Sequence, residues 1–387
     1  MSAGATPCRQ AVVLVGGEGK RLRPITSRLP KPATPVVGRP FIGYVIDNLA
    51  RHGVEHIVFS AGYLADALRS VVGDGSSFGV TVDYAVEDEP LGTAGAIRNA
   101  ERFLADETFL ALNGDVLTDV DVGALVAFHR DKGGDGTIYL TPVDDPRRYG
   151  LVRLRDDGSV IEFLEKPGPE HSGRALINAG IYVLEPRILE LIPPGRLFSI
   201  ERGIFPRLAE QGILFGFSSE CYWRDIGTPA SYLTANFDVL EGALRTRMGD
   251  QLGQSFLYVS HTACIATDAR VVPPAYIDLG VRIESGARVG PLAVIGAGST
   301  IAEGATVQES VIHDQVHVGV AADVRSSVLA RRAEIGEGAQ LNAAIIGEAC
   351  RVGRDNELAR GLCLAPDTYL PAGSITFRDV VDHEGDG

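Results

Sequence analysis

The sequence predicts an α/β domain with a mostly parallel sheet, followed by a parallel β-helix. From residue 10 to about residue 241, short β-branched runs alternate with helical patterns, which is the βαβ rhythm of a parallel sheet covered by helices. From Ile265 onward, aliphatic residues recur every six positions with glycines and small residues between them. Such a hexapeptide period is typical of a β-helix, in which three hexads form one triangular coil.

The first region reads as strands and helices in alternation. Strands are predicted at 11–15, 56–60, 81–86, 108–112, 137–142 and 177–184. Helices are predicted at 41–51, 64–72, 93–104, 120–131, 200–211 and 229–240. We therefore expect a first domain at 1–245. Residues 246–262 have no clear period and are expected to form the linker to the second domain.

In the second region the six-residue period continues without a break through eight aliphatic residues, namely Ile265, Val271, Ile277, Ile283, Val289, Ile295, Ile301 and Val307. The register then shortens by one residue at three positions that are 17 apart, Ile312, Leu329 and Ile346, which suits coils with one tightened corner. The alternative is a β-sandwich, in whose strands apolar and polar residues alternate with period two and turns recur about every 8 to 12 residues. We expect the β-helix to span 263–376, with an acidic tail at 377–387.

Length, charge and cysteines bound the class of protein. The chain has 387 residues, more than one core usually holds, and a formal net charge of −14, which argues against an extended nucleic-acid interface. The start lacks a basic segment followed by an apolar run, and no window of 18 apolar residues occurs, so neither secretion nor membrane association is expected. Five cysteines without a CxxC pair favour reduced thiols in a cytoplasmic protein.

A glycine-rich segment, residues 16–31, follows the first predicted strand and is named here the signature loop. The C-terminal end of such a strand is where open α/β sheets bind ligands, and glycines let backbone N–H groups approach phosphate oxygens. The loop concentrates positive charge in Lys20, Arg21, Arg23, Arg28 and Lys31. It is not a P-loop, because that pattern is broken at Leu14 and Arg21, and Leu22 breaks the dinucleotide fingerprint. The loop suits a triphosphate, with a purely structural turn as the alternative.

The motifs resemble those of the sugar-phosphate nucleotidyltransferase family. The loop reads Gly16-Gly17-Glu18-Gly19-Lys20-Arg21-Leu22-Arg23-Pro24 and continues to Pro30-Lys31-Pro32, where the family has Gly-Gly-x-Gly-Thr-Arg-Leu-x-Pro and Pro-Lys-Pro. Lys20 replaces the family's Thr, and whether it contacts phosphate stays open. Further family motifs follow in order at 89–95 (Glu-Pro-Leu-Gly-Thr-Ala-Gly), 113–115 (Asn-Gly-Asp), 163–167 (Phe-Leu-Glu-Lys-Pro), 178–180 (Asn-Ala-Gly) and 223–228 (Trp-Arg-Asp-Ile-Gly-Thr).

This resemblance implies a Rossmann-like nucleotidyltransferase domain, and within the family it is strongest to mannose-1-phosphate guanylyltransferases that carry a C-terminal left-handed β-helix. The implied reaction joins GTP and mannose 1-phosphate to GDP-mannose with release of pyrophosphate. The implied catalytic residues are Arg21, Lys31, Lys166, Asp115 and Asp225. Asp115 and Asp225 are the implied ligands of Mg²⁺. Nucleotide binding is expected at Leu14, Gly16, Gly17, Gly19, Glu87, Gly92 and Thr93, and sugar binding at Gly150, Glu165, Lys166 and Asn178.

Glu87 is the residue on which the choice of base depends. It precedes Gly92 by five positions, where related uridylyl- and thymidylyltransferases commonly carry Gln. Guanine offers the N1–H and N2 amino donors, which one carboxylate accepts together, whereas uracil and thymine present one donor between two carbonyls and suit an amide. Glu87 therefore favours guanine. The alternative is that Glu87 belongs to a solvated acidic run, residues 87–89.

Other functions stay open at this stage. A relative could use glucose 1-phosphate with UTP, dTTP or ATP, or act as a non-catalytic regulatory subunit that binds nucleotide sugar. β-Helices of this kind also occur in acyltransferases with a histidine base, but His313 and His317 are expected to be solvent-facing turn residues. The β-helix is expected to mediate assembly into a homo-oligomer, because its stacked strands expose flat faces.

Overall fold

The computed structural model describes residues 7–17, 19–62 and 65–376, and contacts between residues divide them into two compact units. The first unit holds the described residues of 1–19, 29–34 and 40–227. The second unit holds those of 20–28, 35–39 and 228–387. Outside the described residues lie the N-terminal residues 1–6, the first position of the predicted 64–72 helix, the predicted acidic tail and Glu18 of the signature loop.

The α-helices of the described residues are α1 (Phe41–Arg51), α2 (Ala65–Val72), α3 (Gly92–Ala100), α4 (Val122–Lys132), α5 (Arg187–Glu190), α6 (Ile200–Gly203), α7 (Phe205–Glu210), α8 (Pro229–Leu240) and α9 (Arg247–Leu252). Short 3₁₀ helices lie at Lys20–Leu22, Lys31–Ala33, Ser76–Phe78, Glu101–Phe103, Pro146–Arg148 and Gly253–Ser255. Side-chain caps start α4, where Asp121 accepts a hydrogen bond from Ala124 N, and α8, where Thr228 and Ser231 form a capping box. Among the described residues, no helix has the length and apolar character that a membrane span needs.

The first strands in chain order are β1 (Gln10–Leu14), β2 (Pro35–Val36), β3 (Arg39–Pro40), β4 (His56–Ala61), β5 (Thr81–Val86), β6 (Phe109–Asn113), β7 (Val116–Thr118), β8 (Gly136–Val143), β9 (Gly150–Leu154), β10 (Val160–Glu165), β11 (Ala175–Leu184), β12 (Leu214–Ser218) and β13 (Trp223–Asp225). The main sheet of the first unit has the order β10-β9-β11-β6-β1-β4-β5, with β8 beside β11 and β12 beside β8. Strands β1, β4, β5 and β6 are parallel, and β11 runs antiparallel to β6, β8 and β9. The sheet is thus parallel in its N-terminal part and mixed as a whole.

The parallel part of the sheet is covered on both faces. Ala11, Val12 and Val13 of β1 are fully buried, which explains why this strand reads as a continuous apolar run instead of an alternation. Because parallel strands end at the same edge, the residues after β1, β4, β5 and β6 are collected along one line. That edge carries the start of the signature loop, Glu87 and the 113–115 motif.

The predicted strands are confirmed to within two residues, and so are most of the predicted helices. The single helix predicted at 200–211 is wrong, because the chain forms α6 and α7 with a break at Ile204. Pro206, the second residue of α7, lacks the N–H that would continue the hydrogen-bonding of α6. Seven further strands among β1 to β13 were not predicted individually, namely β2, β3, β7, β9, β10, β12 and β13.

The second unit contains α8, α9 and the strands of the β-helix, which begin before the predicted start at residue 263. In chain order these strands are β14 (Leu257–Val259), β15 (Cys264–Ile265), β16 (Arg270–Val271), β17 (Ala275–Ile277), β18 (Arg282–Ile283), β19 (Arg288–Val289), β20 (Ala293–Ile295), β21 (Thr300–Ile301), β22 (Thr306–Gln308), β23 (Ser310–Ile312), β24 (His317–Val318), β25 (Asp323–Arg325), β26 (Val328–Leu329), β27 (Glu334–Ile335), β28 (Gln340–Asn342), β29 (Ile345–Ile346), β30 (Arg351–Val352), β31 (Glu357–Leu358), β32 (Cys363–Leu364) and β33 (Tyr369–Leu370). They form three parallel sheets, and within each sheet a strand pairs with the third strand after it in the chain.

The hexapeptide residues are the inner columns of this β-helix, as the period predicts. Ile277 pairs with Ile295, which pairs with Ile312, and the same column continues through Leu329 and Ile346. These side chains belong to one buried cluster that fills the coils. The coil is left-handed in the family that the chain resembles, and the parallel sheets are consistent with that fold.

The outer faces of the three sheets differ. In the sheet β14-β17-β20-β23-β26-β29-β32, the outward column is apolar and buried, and it contains Tyr276, Val294, Val311, Val328 and Ile345. The outward columns of the other two sheets are polar, for example Arg282, Thr300, His317, Glu334 and Arg351. A buried apolar outer column shows that this face of the β-helix is a packing surface.

Helix α8 packs on the apolar face. The Tyr232 hydroxyl lies 2.9 Å from His313 Nε2, and the two rings meet at a centroid distance of 6.1 Å. His313 is therefore buried, and the prediction that it faces solvent is wrong, because the neighbouring column on its sheet is covered. Burial lowers the pKa of His313 to about 4. His317, on a polar face, is exposed as predicted.

Candidate functional site

Glu87 is held at the edge of the parallel strands by two hydrogen bonds. Ser60 Oγ, at the end of β4, donates to Glu87 Oε1 at 2.8 Å, and the Leu91 backbone N–H donates to Oε2 at 3.0 Å. A side chain at Gly16 would place its Cβ 3.9 Å from Glu87 Oε1, so the carboxylate lies beside the start of the signature loop. The neighbouring acidic residues, Asp88 and Glu89, are exposed. Glu87 is thus a fixed group, in contrast to the solvated acidic run that the sequence left open.

Leu14 ends β1 at the same edge. It pairs with Ser60 of β4 on one side and with Asn113 of β6 on the other. Gly16 and Gly17 follow it and are exposed, and the Gly114 N–H donates to the Leu14 carbonyl at 2.9 Å. The first glycines of the loop and the 113–115 motif are therefore joined directly by backbone contacts.

Lys31 contacts both predicted metal ligands. Its ammonium lies 2.8 Å from Asp115 Oδ2 and 3.4 Å from Asp225 Oδ1, and only 9% of its side chain is exposed. The lysine is held in a 3₁₀ helix, Lys31–Ala33, between two prolines. Its burial beside two carboxylates makes it a fixed positive charge rather than a flexible surface lysine.

The two aspartates are brought together by a short antiparallel pair of strands. Asp225, the last residue of β13, pairs with Val116 at the start of β7, which directly follows Asp115. The Ile226 N–H also donates to the Asp115 carbonyl at 3.3 Å. Because backbone pairing fixes both residues, the convergence of their carboxylates is a property of the fold.

The arrangement of Asp115 and Asp225 fits a hard divalent cation. One cation, the Lys31 ammonium, already contacts both carboxylates, so a position within reach of both oxygens exists. Carboxylate oxygens are the donors that Mg²⁺ prefers, and Mg²⁺ commonly uses one or two of them together with phosphates and water. Among the described residues, no group of three or more His, Cys, Asp and Glu is arranged to hold a metal alone. The chemistry of the pair thus suits a metal that is shared with a phosphate substrate.

The Leu-Gly-Thr motif at the start of α3 is tied to the segment before α6. Gly92 has φ of +70°, and a Cβ there would lie 2.8 Å from the Phe198 carbonyl oxygen. Thr93 Oγ1 donates to Glu201 Oε2 at 2.7 Å and accepts from the Ile200 N–H at 2.9 Å. In the structure these two predicted nucleotide-binding residues contact protein, and they fix the turn that follows Glu87.

Glu165 and Gly150 face each other across the β9–β10 pair. Their Cα positions are register partners, and a Cβ on Gly150 would lie 3.1 Å from Glu165 Oε2. The absence of a side chain at Gly150 therefore leaves room for the glutamate. Burial, followed by the charge of Glu201, raises the pKa of Glu165. The exposed Lys166 comes next with φ of +54°, and its N–H donates to the Tyr149 carbonyl at 3.1 Å.

Asn178 lies in an irregular part of β11. Its Nδ2 donates to Tyr182 Oη at 2.9 Å, and its Oδ1 accepts from the Gly180 N–H at 2.9 Å. Gly180 has φ of +77°, and a Cβ there would lie 2.5 Å from the Asn113 amide nitrogen. The Trp223 indole N–H donates to the Ala179 carbonyl at 2.9 Å. These contacts link the predicted sugar-binding segment to the strand that carries Asp225.

The signature loop is divided between the two units. Gly16, Gly17 and Lys31 belong to the first unit, as does Gly19, which has φ of +60°. Lys20 and Arg21 belong to the second unit, where both are exposed in the 3₁₀ helix Lys20–Leu22. The structure thus brings Lys31, Asp115 and Asp225 together in one unit, and it assigns Arg21 to the other.

Three residues of the site were missed by sequence reasoning. Ser60 positions Glu87, Tyr182 positions Asn178, and Glu201 binds Thr93. Ser60 could have been suspected, because it ends a predicted strand at the ligand-binding edge. Glu201 gave no signal, since 108 positions separate it from Thr93.

Comparison with known proteins identifies the family of the chain. The family model described as "Nucleotidyl transferase" matches residues 10–242, and the model described as "GMPPB C-terminal domain" matches residues 271–375. The mannose-1-phosphate guanylyltransferase of Mycobacterium tuberculosis is 38% identical over 287 residues, which cover 72% of this chain and 79% of that protein. The mannose-1-phosphate guanyltransferase of Candida albicans is 42% identical over 230 residues, which cover 58% of this chain and 63% of that protein.

Solved structures give the same family. HddC from Yersinia pseudotuberculosis is 33% identical with a TM-score of 0.53, and the match covers 59% of this chain and 99% of that one. A second structure of that protein is a complex with GMP-PN, with a TM-score of 0.52. The nucleotidyl transferase model covers more than half of this chain, and it includes the glycine loop, Lys31 and both aspartates. The chain therefore belongs to the nucleotidyl transferase family.

Proposed function

We propose that the chain transfers GMP from GTP to mannose 1-phosphate, forming GDP-mannose and releasing pyrophosphate. The observation that carries this proposal is the contact of Lys31 with Asp115 and Asp225 beside a glycine loop at the sheet edge. Such a cluster has the charges that a triphosphate and its metal ion need. The names of the relatives from Mycobacterium tuberculosis and Candida albicans support the same substrates.

Guanine is the proposed base because of the hydrogen bonds that the Glu87 carboxylate makes and can still accept. Each carboxylate oxygen has two lone pairs, and the bonds from Ser60 and Leu91 use one on each oxygen. Two acceptor positions therefore remain, and they suit the paired N1–H and N2 amino donors of guanine. The bound GMP-PN in the Yersinia pseudotuberculosis neighbour is consistent with a guanine nucleotide.

The chemistry needs no protein nucleophile. The phosphate oxygen of the sugar 1-phosphate attacks the α-phosphorus in line, and pyrophosphate leaves on the opposite side. Lys31 and Arg21 stabilise the triphosphate and the departing pyrophosphate, and Lys166 holds the attacking phosphate. These residues act by positioning and by charge, which together supply most of the rate enhancement in phosphoryl transfer.

Nucleotidyltransferases of this family generally use a divalent metal ion, and we propose Mg²⁺ held by Asp115 and Asp225. When bound, the ion would offset the negative charge that develops on the phosphates during transfer. The Lys31 ammonium contacts both carboxylates, so it would have to move or share them if the ion and the nucleotide bind. Leu14, Gly16, Gly17 and Gly19 are assigned to the nucleotide, and the glycines among them supply backbone N–H groups for the phosphates.

Sugar binding is assigned to Glu165 and Asn178. Glu165 is half-buried in the space that Gly150 leaves, and a carboxylate there accepts hydrogen bonds from sugar hydroxyls. Asn178 is oriented by Tyr182, so its amide is fixed before the sugar binds. Preorganised acceptors of this kind favour one arrangement of hydroxyl groups over another. Mannose is proposed as the sugar because the relatives' names specify it.

We further propose a cytoplasmic homo-oligomer. All five cysteines are free, which suits a reducing compartment. The proposed partner in the assembly is a second copy of the chain, bound through the β-helix. Sedimentation velocity of the purified protein tests this directly, and a purely monomeric species at micromolar concentration would exclude it.

The test of the proposed function is a substrate panel read by pyrophosphate release. GTP, UTP, dTTP and ATP are each paired with mannose 1-phosphate and with glucose 1-phosphate. We expect GTP with mannose 1-phosphate to give a kcat/KM at least about tenfold above any other pair, which corresponds to one discriminating contact. A preference for another nucleotide would contradict the role of Glu87, and no release with any pair would favour a regulatory subunit.

A further inference from the structure

The segments that precede and follow Lys31 both group with the β-helix unit. Residues 20–28 and 35–39 group with the second unit, whereas the intervening residues 29–34, which include Lys31, group with the first. We propose that the β-helix positions the signature loop for nucleotide binding, and that Arg28 acts as a tether to the last coils instead of as a phosphate ligand. Since this role presupposes the nucleotide transfer proposed above, it is tested with and without an activity readout.

Arg28 binds Asp367 through a two-point contact. Its two terminal nitrogens face the two carboxylate oxygens of Asp367, with Nη1 3.3 Å from Oδ1 and Nη2 closer to Oδ2. Asp367 lies at a corner between β32 and β33 with φ of +60°, and its N–H donates to the Glu348 carbonyl at 2.9 Å. The carboxylate is thus presented from a fixed backbone. A fork-to-fork pair fixes direction as well as distance, which is what a tether requires.

The other side of Lys31 is anchored by α8. The Tyr232 hydroxyl donates to the Pro35 carbonyl and also contacts His313 of the β-helix. One turn later, Asn236 Oδ1 accepts from the Val37 N–H at 2.8 Å, and this asparagine is fully buried. Tyr232 and Asn236 are four residues apart, so they occupy one face of α8.

Gly38 completes this second anchor. It has φ of +71°, and a Cβ there would lie 2.4 Å from the Tyr276 hydroxyl, so only glycine fits against the outer column of the β-helix. The segment that carries Lys31 is therefore bounded by Arg28 on one side and by residues 35–38 on the other. Only Leu29 and Pro30 separate Arg28 from Lys31, so the three connecting steps span at most about 11 Å. A displacement of Arg28 is transmitted to Lys31 through that short connection.

The chemistry of Arg28 separates the two possible roles. A phosphate ligand acts through its own positive charge, so its loss is not repaired by a change elsewhere. A tether acts through its pairing, so exchanging the two charges restores it. The Arg28–Asp367 pair is largely exposed, with 45% and 59% of the side chains accessible, and such pairs contribute little to global stability. The expected effect is therefore on nucleotide binding and not on unfolding.

The first test is a charge exchange with Arg28→Asp, Asp367→Arg and the double variant. We expect each single variant to raise the KM for GTP about five- to tenfold, with KM for mannose 1-phosphate and the thermal midpoint nearly unchanged. The double variant should return the KM for GTP to within about twofold of the wild type. The matched control is Asp323→Arg, which breaks an exposed Arg–Asp pair of the β-helix formed with Arg325. A double variant as impaired as Arg28→Asp would overturn the tether and identify Arg28 as a phosphate ligand.

The second test needs no enzymatic activity. Asp367→Asn leaves the tryptic bonds after Lys20, Arg21 and Arg28 in place, and release of the tether should increase cleavage there about two- to fivefold, as measured by mass spectrometry. Asp323→Asn is the control and should cleave like the wild type. Unchanged cleavage in Asp367→Asn overturns the inference even if GDP-mannose is formed. Faster cleavage in a protein that forms no GDP-mannose supports the tether and contradicts only the proposed function.

Discussion

Glu87 combines two tasks at the residue scale, because it closes a turn and presents a carboxylate. Its bonds to Ser60 and to the Leu91 N–H hold both oxygens in place, so the group is oriented before any ligand arrives. Preorganisation of this kind is what makes one acceptor pair selective for one base edge. The neighbouring Asp88 is exposed and provides a natural comparison.

We predict that Glu87→Gln shifts the preference for nucleotides away from GTP. An amide replaces one of the two acceptors by a donor, so kcat/KM for GTP should fall about ten- to a hundredfold relative to UTP and dTTP. The ratio of the three kcat/KM values measures the effect, and Asp88→Asn is the control. Unchanged selectivity among the three nucleotides in Glu87→Gln would contradict the assignment of Glu87 to base recognition.

Lys31 is the second residue on which the site depends, because its ammonium contacts both carboxylates that are proposed to hold the metal ion. We predict that Lys31→Met lowers turnover at least about a hundredfold, because the positive charge that stabilises the triphosphate is lost. Affinity for Mn²⁺ without nucleotide should instead rise, because a neighbouring positive charge has been removed. Electron paramagnetic resonance of free Mn²⁺ measures this affinity.

The control for this prediction is Lys132→Met, which removes a lysine that lies over the Phe128 ring on α4. Both turnover and Mn²⁺ affinity should be those of the wild type. Weaker Mn²⁺ binding in Lys31→Met would show that the ammonium supports the cation and does not compete with it.

Elements with strong local signals could be predicted from the sequence, and the others could not. Helix α8 has a capping box and an amphipathic pattern, and both its ends were predicted. Strand β10 was missed because most of its residues are half-exposed and no alternation marks them, and β12 contains Gly216, which weakens a strand pattern. The aliphatic inner columns of the β-helix from Ile265 onward were predicted, because every coil repeats them.

The candidate site was predictable only in part, for the same reason. Motifs identified Lys31, Asp115 and Asp225, but their mutual contact joins residues 84 and 194 positions apart, which no local pattern reports. Sequence reasoning likewise treated Arg28 as part of a phosphate cradle, whereas the structure pairs it with Asp367 across 339 positions. Partners at such separations follow from the fold and not from spacing.

The contact between α8 and the β-helix gives an element-scale prediction for pH. His313 is neutral in the folded state down to pH about 4, whereas in the unfolded chain it binds a proton near pH 6.5. Its contribution is therefore present above pH 6.5 and is lost as the pH falls from 6.5 towards 4, by at most about 3 kcal/mol. Glu348 opposes this only weakly, since burial dominates.

We predict that His313→Asn reduces the fall in thermal midpoint between pH 7.5 and pH 5. The variant removes the group that gains a proton on unfolding, although it also loses the contact with Tyr232 and is less stable at neutral pH. His317→Asn, on an exposed face, should keep the pH dependence of the wild type. Equal pH dependence in wild type and His313→Asn would contradict this linkage.

At the scale of the whole molecule, the β-helix has two polar outer faces and one apolar face. The apolar column from Tyr276 to Ile345 is buried, and α8 and residues 35–38 lie on this unit. The β-helix is thus more than a surface for assembly, because it holds the segments on both sides of Lys31. We therefore expect the proposed contact with a second copy to involve the polar faces or the ends of the β-helix.

The central claim is that this chain makes GDP-mannose at the site of Lys31, Asp115 and Asp225. The most direct measurement is mass-spectrometric quantification of GDP-mannose and pyrophosphate formed from GTP and mannose 1-phosphate, in wild type and in Asp225→Asn. We predict equal amounts of both products in the wild type and a loss of at least about a thousandfold in the variant, with binding of mannose 1-phosphate largely retained. No GDP-mannose from the wild type, or near-normal turnover of Asp225→Asn, would contradict the account.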